Sequence, residues 1–167
     1  MSPERLCQAS KPIVPSLSRI RQYVYFAVRS DTVNADEVSR RLGLEPDRVM
    51  VRGSRSADPP RPTANAWQIV CDESGMTIDE QVKVVLQRLR PAEPRLVELA
   101  KDPDCSVVLQ FVRYLDDEEG EPERLSHSDA GLQKLGGQHQ LLGWHLSSDD
   151  LGFLSRIGAS IDADEYG

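Results

Sequence analysis

Residues 23–53, YVYFAVRSDTVNADEVSRRLGLEPDRVMVRG, decide how this chain is read. Tyr23 to Arg29 alternates in the manner of a strand, with Val24, Phe26 and Val28 on one side and Tyr23, Tyr25 and Ala27 on the other. Neither side is strongly charged, which predicts a central strand covered on one face and partly used on the other. Asn34 then stands where a helix N-cap belongs, and Glu37 follows at the capping-box spacing. Val38 and Leu42 form the apolar stripe of that helix. Gly43 supplies the left-handed stop, Pro46 forbids continuation, and Arg48 to Gly53 reads as a short strand.

A shortened echo occupies Gly143 to Gly167, GWHLSSDDLGFLSRIGASIDADEYG. Leu142, Trp144 and Leu146 alternate as a strand, and Ser147 or Ser148 caps a helix with Leu151, Leu154 and Ile157 inward. Gly158 ends that helix, and Ile161 to Tyr166 is a final strand. Between the two copies lies a loop, Ser54 to Ala64, rich in proline, serine and arginine. Ala66 to Asp72 follows as a strand with Trp67, Ile69 and Cys71 on one face and Gln68 and Val70 on the other. Thr77 with Glu80 opens a second capped helix carrying Val82, Val85, Leu86 and Leu89. Pro91 and Pro94 interrupt it, and a short helix resumes over Arg95 to Lys101. Cys105 to Leu115 is the strongest strand, the acidic run Asp116 to Glu123 is a loop or turn, and a short helix is placed near Asp129 to Leu135.

The order β-α-β-β-α-β followed by β-α-β predicts an α+β fold, with helices on one face of a mixed or antiparallel sheet. Its first six elements have a ferredoxin-like order. Residues 1–20, with three prolines and no period, read as an N-terminal arm, and 21–167 as a single domain.

The aromatic strand Tyr23-Val24-Tyr25-Phe26 and Leu42-Gly43-Leu44-Glu45-Pro46 after the first helix resemble the uncharacterised bacterial family known as domain of unknown function 4279. The likeness continues through Gly53, Trp67, Leu146-Ser147, Gly158 and Ile161 to Tyr166. It spans roughly residues 20–167 and is weakest over 116–141. The resemblance implies one small α+β domain in a bacterial cytoplasm, and it brings no catalytic residues.

Chemistry is limited first by charge. A formal charge of −7 disfavours nucleic acid and anionic membrane as partners. No apolar run reaches the ~18 residues of a membrane span. The N-terminus lacks the apolar core of a signal peptide, and three scattered cysteines form neither a disulfide framework nor a metal pair, so the cytoplasm is expected. His127, His139 and His145 make no zinc motif, and the sequence contains no P-loop, GxGxxG or GxSxG, so no cofactor and no metal is expected. Asp162 and Asp164 lie about 7 Å apart on one strand face, too far to chelate an ion by themselves.

Two features remain. Arg48, Arg52, Arg55 and Arg61 gather in an otherwise acidic chain, where guanidinium groups suit carboxylate or phosphate. The sheet face away from the helices carries Tyr23, Tyr25, Gln68, Val70, Gln110, Val112 and Tyr114. Such a face suits a ligand groove, a homodimer or a protein partner, or else is covered by the arm or by 116–141. The leading expectation is a non-enzymatic binding or interaction module for a protein partner or small ligand, with an immunity-protein-like role as one concrete form. The competing expectation is a small enzyme or sensor with a pocket lined by Tyr25, Arg52, Trp67 and His145.

Overall fold

The computed structural model describes residues 19–115, 117–122 and 143–167. The elements are β1 (Arg19–Ser30), α1 (Ala35–Leu42), β2 (Arg48–Met50), β3 (Ser56–Ala57), β4 (Pro60–Arg61), β5 (Asn65–Cys71) and α2 (Ile78–Leu89). A 3-10 turn (Arg90–Ala92) leads to α3 (Glu93–Leu99), then β6 (Cys105–Leu115), β7 (Glu121–Pro122), α4 (Ser148–Arg156) and β8 (Ser160–Tyr166). The fold is α+β, built on a mixed sheet in the order β2-β5-β1-β6-β8, with β7 added beside the first residues of β1. Neighbours are antiparallel except β6 and β8, which are parallel.

β1 is the sheet's axis because its twelve residues alternate without a charged interruption in the middle. Val24, Phe26 and Val28 turn to one face, where Trp67, Ile69 and Cys71 of β5 and Val107, Leu109 and Phe111 of β6 join them. The helices close over that face with Val38 and Leu42 of α1, Val82, Val85, Leu86 and Leu89 of α2, Leu96 of α3, and Phe153 and Leu154 of α4. Each such aliphatic or aromatic side chain contributes about 1.5–3 kcal/mol on leaving water. This single core explains why the helices gather on one side.

The helix ends follow local rules. Asn34 Oδ1 accepts the Glu37 N–H at 2.9 Å, but the Glu37 carboxylate turns outward to Arg40 and Arg41, so the expected reciprocal half of the box is absent. At α2 the box is complete: the Thr77 N–H donates to Glu80 Oε2 at 2.8 Å, and Thr77 Oγ accepts the Glu80 N–H. Gly43 ends α1 at φ +62, with its N–H donated to the Ser39 carbonyl. Ser147 caps α4 through the Asp150 N–H.

Several expectations are corrected. β2 stops at Met50, because Asn65 Oδ1 takes the Arg52 N–H and Gly53 turns at φ +71. The loop after it holds the small β3–β4 hairpin, closed by Arg55 N–H to the Arg61 carbonyl. Pro94 sits within the first turn of α3, which begins at Glu93, rather than delaying it, since a proline there forfeits no helical hydrogen bond. Residues 143–147 are not a strand: they run directly into the α4 cap, with the His145 N–H donated to Asp79 Oδ1. In α4 the larger Phe153 ring takes the core position, and Leu151 stays 46% exposed. The echo therefore keeps its helix and last strand but not its first strand. The helix placed near 129–135 and most of the N-terminal arm lie outside the described residues, and β1 begins at Arg19.

Candidate binding face

The strand register assembles the second face row by row. Arg21 opposes Tyr114, which opposes Tyr166. Tyr23 opposes Val112, which opposes Asp164. Tyr25 lies between Val70 and Gln110, and Gln110 opposes Asp162. Ala27 lies between Gln68 and Val108, with Arg48 beyond Gln68. Because partners directly across a ladder share a face, all four tyrosines of the chain stand on one surface.

These side chains contact one another. The Tyr23 and Tyr25 rings stack at 6.2 Å and the Tyr114 and Tyr166 rings at 5.0 Å. The Arg21 guanidinium lies 4.1 Å above the Tyr114 ring, a cation–π geometry, and Arg48 approaches the Tyr23 ring at 5.9 Å. Arg29 Nη2 donates to the Tyr25 hydroxyl at 3.1 Å, and Gln110 Nε2 donates to Asp164 Oδ2 at 3.1 Å. Gln110 and Gln68, at 1% and 4% exposure, are as buried as the core, yet they sit amid rings and polar groups.

The surroundings of two of these phenols, Tyr23 and Tyr166, disfavour their ionisation. Burial, with the neighbouring Tyr114, pushes Tyr23 above its ordinary value, and the Asp164 carboxylate does the same for Tyr166. Both hydroxyls therefore remain protonated donors at neutral pH, suited to hydrogen bonding rather than to acting as bases. Arg21 is anchored by Asp117 at 2.7 Å, and this bond holds the Asp117 carboxyl below the usual carboxylate range.

A cavity of about 740 Å³ opens beside this face, where β1 runs on past the end of β5. Arg21, Tyr23 and Arg48 belong to both cavity and face, while Gln22, Met76 and Arg113 line its inner side. Gln22 Nε2 donates to the Met76 carbonyl at 2.9 Å and fixes the loop before α2. Carboxylates of Asp72, Glu73, Glu119 and Glu121 stand around it.

The residues expected at a site divide into two groups. Tyr23, Tyr25, Gln68, Gln110 and Tyr114 share the tyrosine face. Trp67 does not: it is wholly buried under α1, with Nε1 donated to Ser39 Oγ at 3.0 Å, because its strand parity turns it to the helices. Arg52 and Arg55 are exposed at the far end of the sheet, where Arg52 Nη1 reaches the Asp31 carbonyl. His145 is exposed at the first turn of α2. Tyr25, Arg52, Trp67 and His145 consequently form no common pocket. Arg21, Arg29 and Tyr166 belong to the face and were missed; extending the Tyr23 alternation back to Arg21 and forward to Arg29 would have found the arginines. Among the described residues no group of three histidine, cysteine or acidic side chains is placed to hold a metal ion, and no helix is long and apolar enough to cross a membrane.

Fold and face together define a small α+β sheet domain that gives one face to its helices and the other to aromatic and polar side chains. The chain belongs to the family described as domain of unknown function (DUF4279), whose model matches residues 19–167. No curated protein and no solved structure matches it.

Proposed function

We propose that this domain is a non-enzymatic binding module whose tyrosine face receives a protein partner in the bacterial cytoplasm. The observation that carries the reading is the convergence of all four tyrosines with Arg21, Arg29 and Arg48 on one surface. Tyrosine and arginine dominate binding hot spots, because they bury large area at low entropic cost and still offer hydrogen bonds. The neutral phenols and cation–π contacts pre-order the surface before a partner arrives. An acidic chain with an immunity-like role against a basic protein is the concrete form that charge favours.

The test is quantitative co-purification from the native host with the full chain, Tyr114→Ala and Tyr25→Ala, each checked for fold by circular dichroism. A stoichiometric protein retained by wild type and lost by both variants supports the module. A partner held equally by all three overturns it.

The cavity favours a second reading, a small-molecule sensor. Its surrounding carboxylates select a cationic ligand. Thermal-shift screening with amine and guanidine compounds checks this: stabilisation abolished by Gln22→Ala supports it, and no shift across the set removes it.

A further inference from the structure

The two edges of the sheet differ from the rest of the surface. Among the described residues the exposed large hydrophobics are Val49, Met50, Val51, Trp144, Leu151, Ile161 and Tyr166, and all but Trp144 and Leu151 lie on or directly after the edge strands β2 and β8. An edge strand presents unpaired backbone donors and acceptors, so apolar side chains there mark a place to pair.

The edges carry opposite charge. β2 and the residue after its apolar run read Arg48-Val49-Met50-Val51-Arg52, whereas β8 reads Ile161-Asp162-Ala163-Asp164-Glu165. The central two-fold register of each edge sets like charges against each other. A two-fold β2–β2 pair centred on Met50 would set Arg48 opposite Arg52, and a β8–β8 pair centred on Ala163 would set Asp162 opposite Asp164. Like charges directly across a ladder are destabilising.

Each edge fits the other. β2 runs with β1 and β8 runs with β6, so the two outer strands point in opposite directions. A second copy added edge to edge in the same orientation therefore sets its β8 antiparallel to β2, with both sets of helices on one side. The faces also agree. Val49 opposes Trp67 and Ile161 opposes Leu109, which places both on the helix side. Arg48 opposes Gln68 and Asp164 opposes Val112, which places both on the tyrosine side. Pairing Val51 with Ile161 and Val49 with Ala163 brings Arg48 against Asp164. The present partner of Arg48 is Asp72, an exposed pair that releases it at little cost.

We infer that the chain associates head to tail with a second copy of itself, the β2 edge of one against the β8 edge of the next. The contact is heterologous, so it leaves one free edge at each end and grows with concentration. It also joins the tyrosine faces of neighbouring copies into one continuous surface.

Sedimentation velocity over a concentration series tests this with wild type, Val49→Asp and Ile161→Lys, both substitutions at exposed positions. Wild type gains mass with concentration and loses it in high salt, which screens the exposed charges. Each variant alone is monomeric, its dissociation constant raised about tenfold or more, a change of about 1.4 kcal/mol. An equimolar mixture of the two forms a one-to-one dimer and stops there, because only one intact edge pair remains. A charge-swapped pair, Arg48→Asp mixed with Asp164→Arg, likewise recovers association that each lacks alone. A wild type that stays monomeric throughout overturns the inference, and so does either variant that still self-associates. Loss of the co-purifying partner at Tyr114→Ala leaves these outcomes unchanged, so this contact and the proposed partner face fail separately.

Discussion

The two faces of the sheet are made from the same strands and differ by one residue of phase. On one side Phe26, Trp67, Leu109 and Phe111 are at or near zero exposure and pack in an apolar cluster, to which Trp67 adds one polar contact, its Nε1–H to Ser39 Oγ. On the other, Gln110 and Gln68 are nearly as buried but are shielded by Tyr25, by long arginines and by their own cross-strand neighbours. The first face needs volume and shape, and many apolar residues would serve it. The second needs particular donors and rings in particular rows. Burial alone does not separate a core from a site; the chemistry of what does the burying separates them.

The largest test of this contrast is Trp67→Ala, expected to cost about 3–5 kcal/mol in urea unfolding through cavity formation beneath α1. Tyr25→Ala, half-exposed on the other face, should cost well under half of that; equal losses would make the tyrosine face a second core. Next comes Gly120→Ala at the rim of the cavity. A methyl there would stand 2.7 Å from the Ile20 backbone, which cannot step aside as a side chain can. About 1–3 kcal/mol is expected from such overpacking, with amide exchange quickened at Arg19 to Gln22 if the β1–β7 pairing opens.

A smaller effect is expected from Gln110→Leu. Its partners Arg29 and Asp164 are both half-exposed and turn to water, so stability should change by less than about 1 kcal/mol in calorimetry. A loss of several kcal/mol would show that the polar network itself holds the sheet.

The smallest effect concerns acid. Arg40 and then Arg41 hold Glu37 at about 2, below its ordinary 4.5, and Arg21 lowers Asp117 on the opposite face. A folded-state value below the unfolded one gives stability that is present above the ordinary carboxylate range and lost as pH falls through the folded value. Melting temperature should therefore be flat from pH 7 to about 5 and decline below that. Glu37→Gln and Asp117→Asn should each shallow the decline, and an unchanged slope in either would remove that pair from the acid response. Both carboxylates are half-buried in ion pairs that solvent still reaches and screens, so the change is small.

Much of the fold was legible along the chain. Strand parity in Tyr23 to Arg29, the Asn34 and Thr77 caps, and the Gly43 and Gly158 stops all act within a few residues, so sequence alone reports them, while for the α4 cap it offers Ser147 or Ser148 and the bond from the Asp150 N–H selects Ser147. The errors came where a distant group decides. Leu142 to Leu146 alternates like a strand, yet within 143–147 the His145 N–H bonds to an aspartate of α2 instead of to a strand. Leu151 has helical spacing, yet the neighbouring Phe153 fills the core better.

What the sequence determined by itself was which residues share a strand face, because side chains alternate with period two whatever lies beside them. Thus Tyr23 and Tyr25 were joined, and Trp67 was already opposite Gln68. Tertiary structure decided which strands lie side by side. Only the order β2-β5-β1-β6-β8 brings Tyr166, from the end of the chain, onto Tyr114, and Arg21 with it. The same order leaves a basic strand at one edge and an acidic strand at the other. Cross-strand neighbours are set by the packing of the whole core, and no local rule encodes that packing.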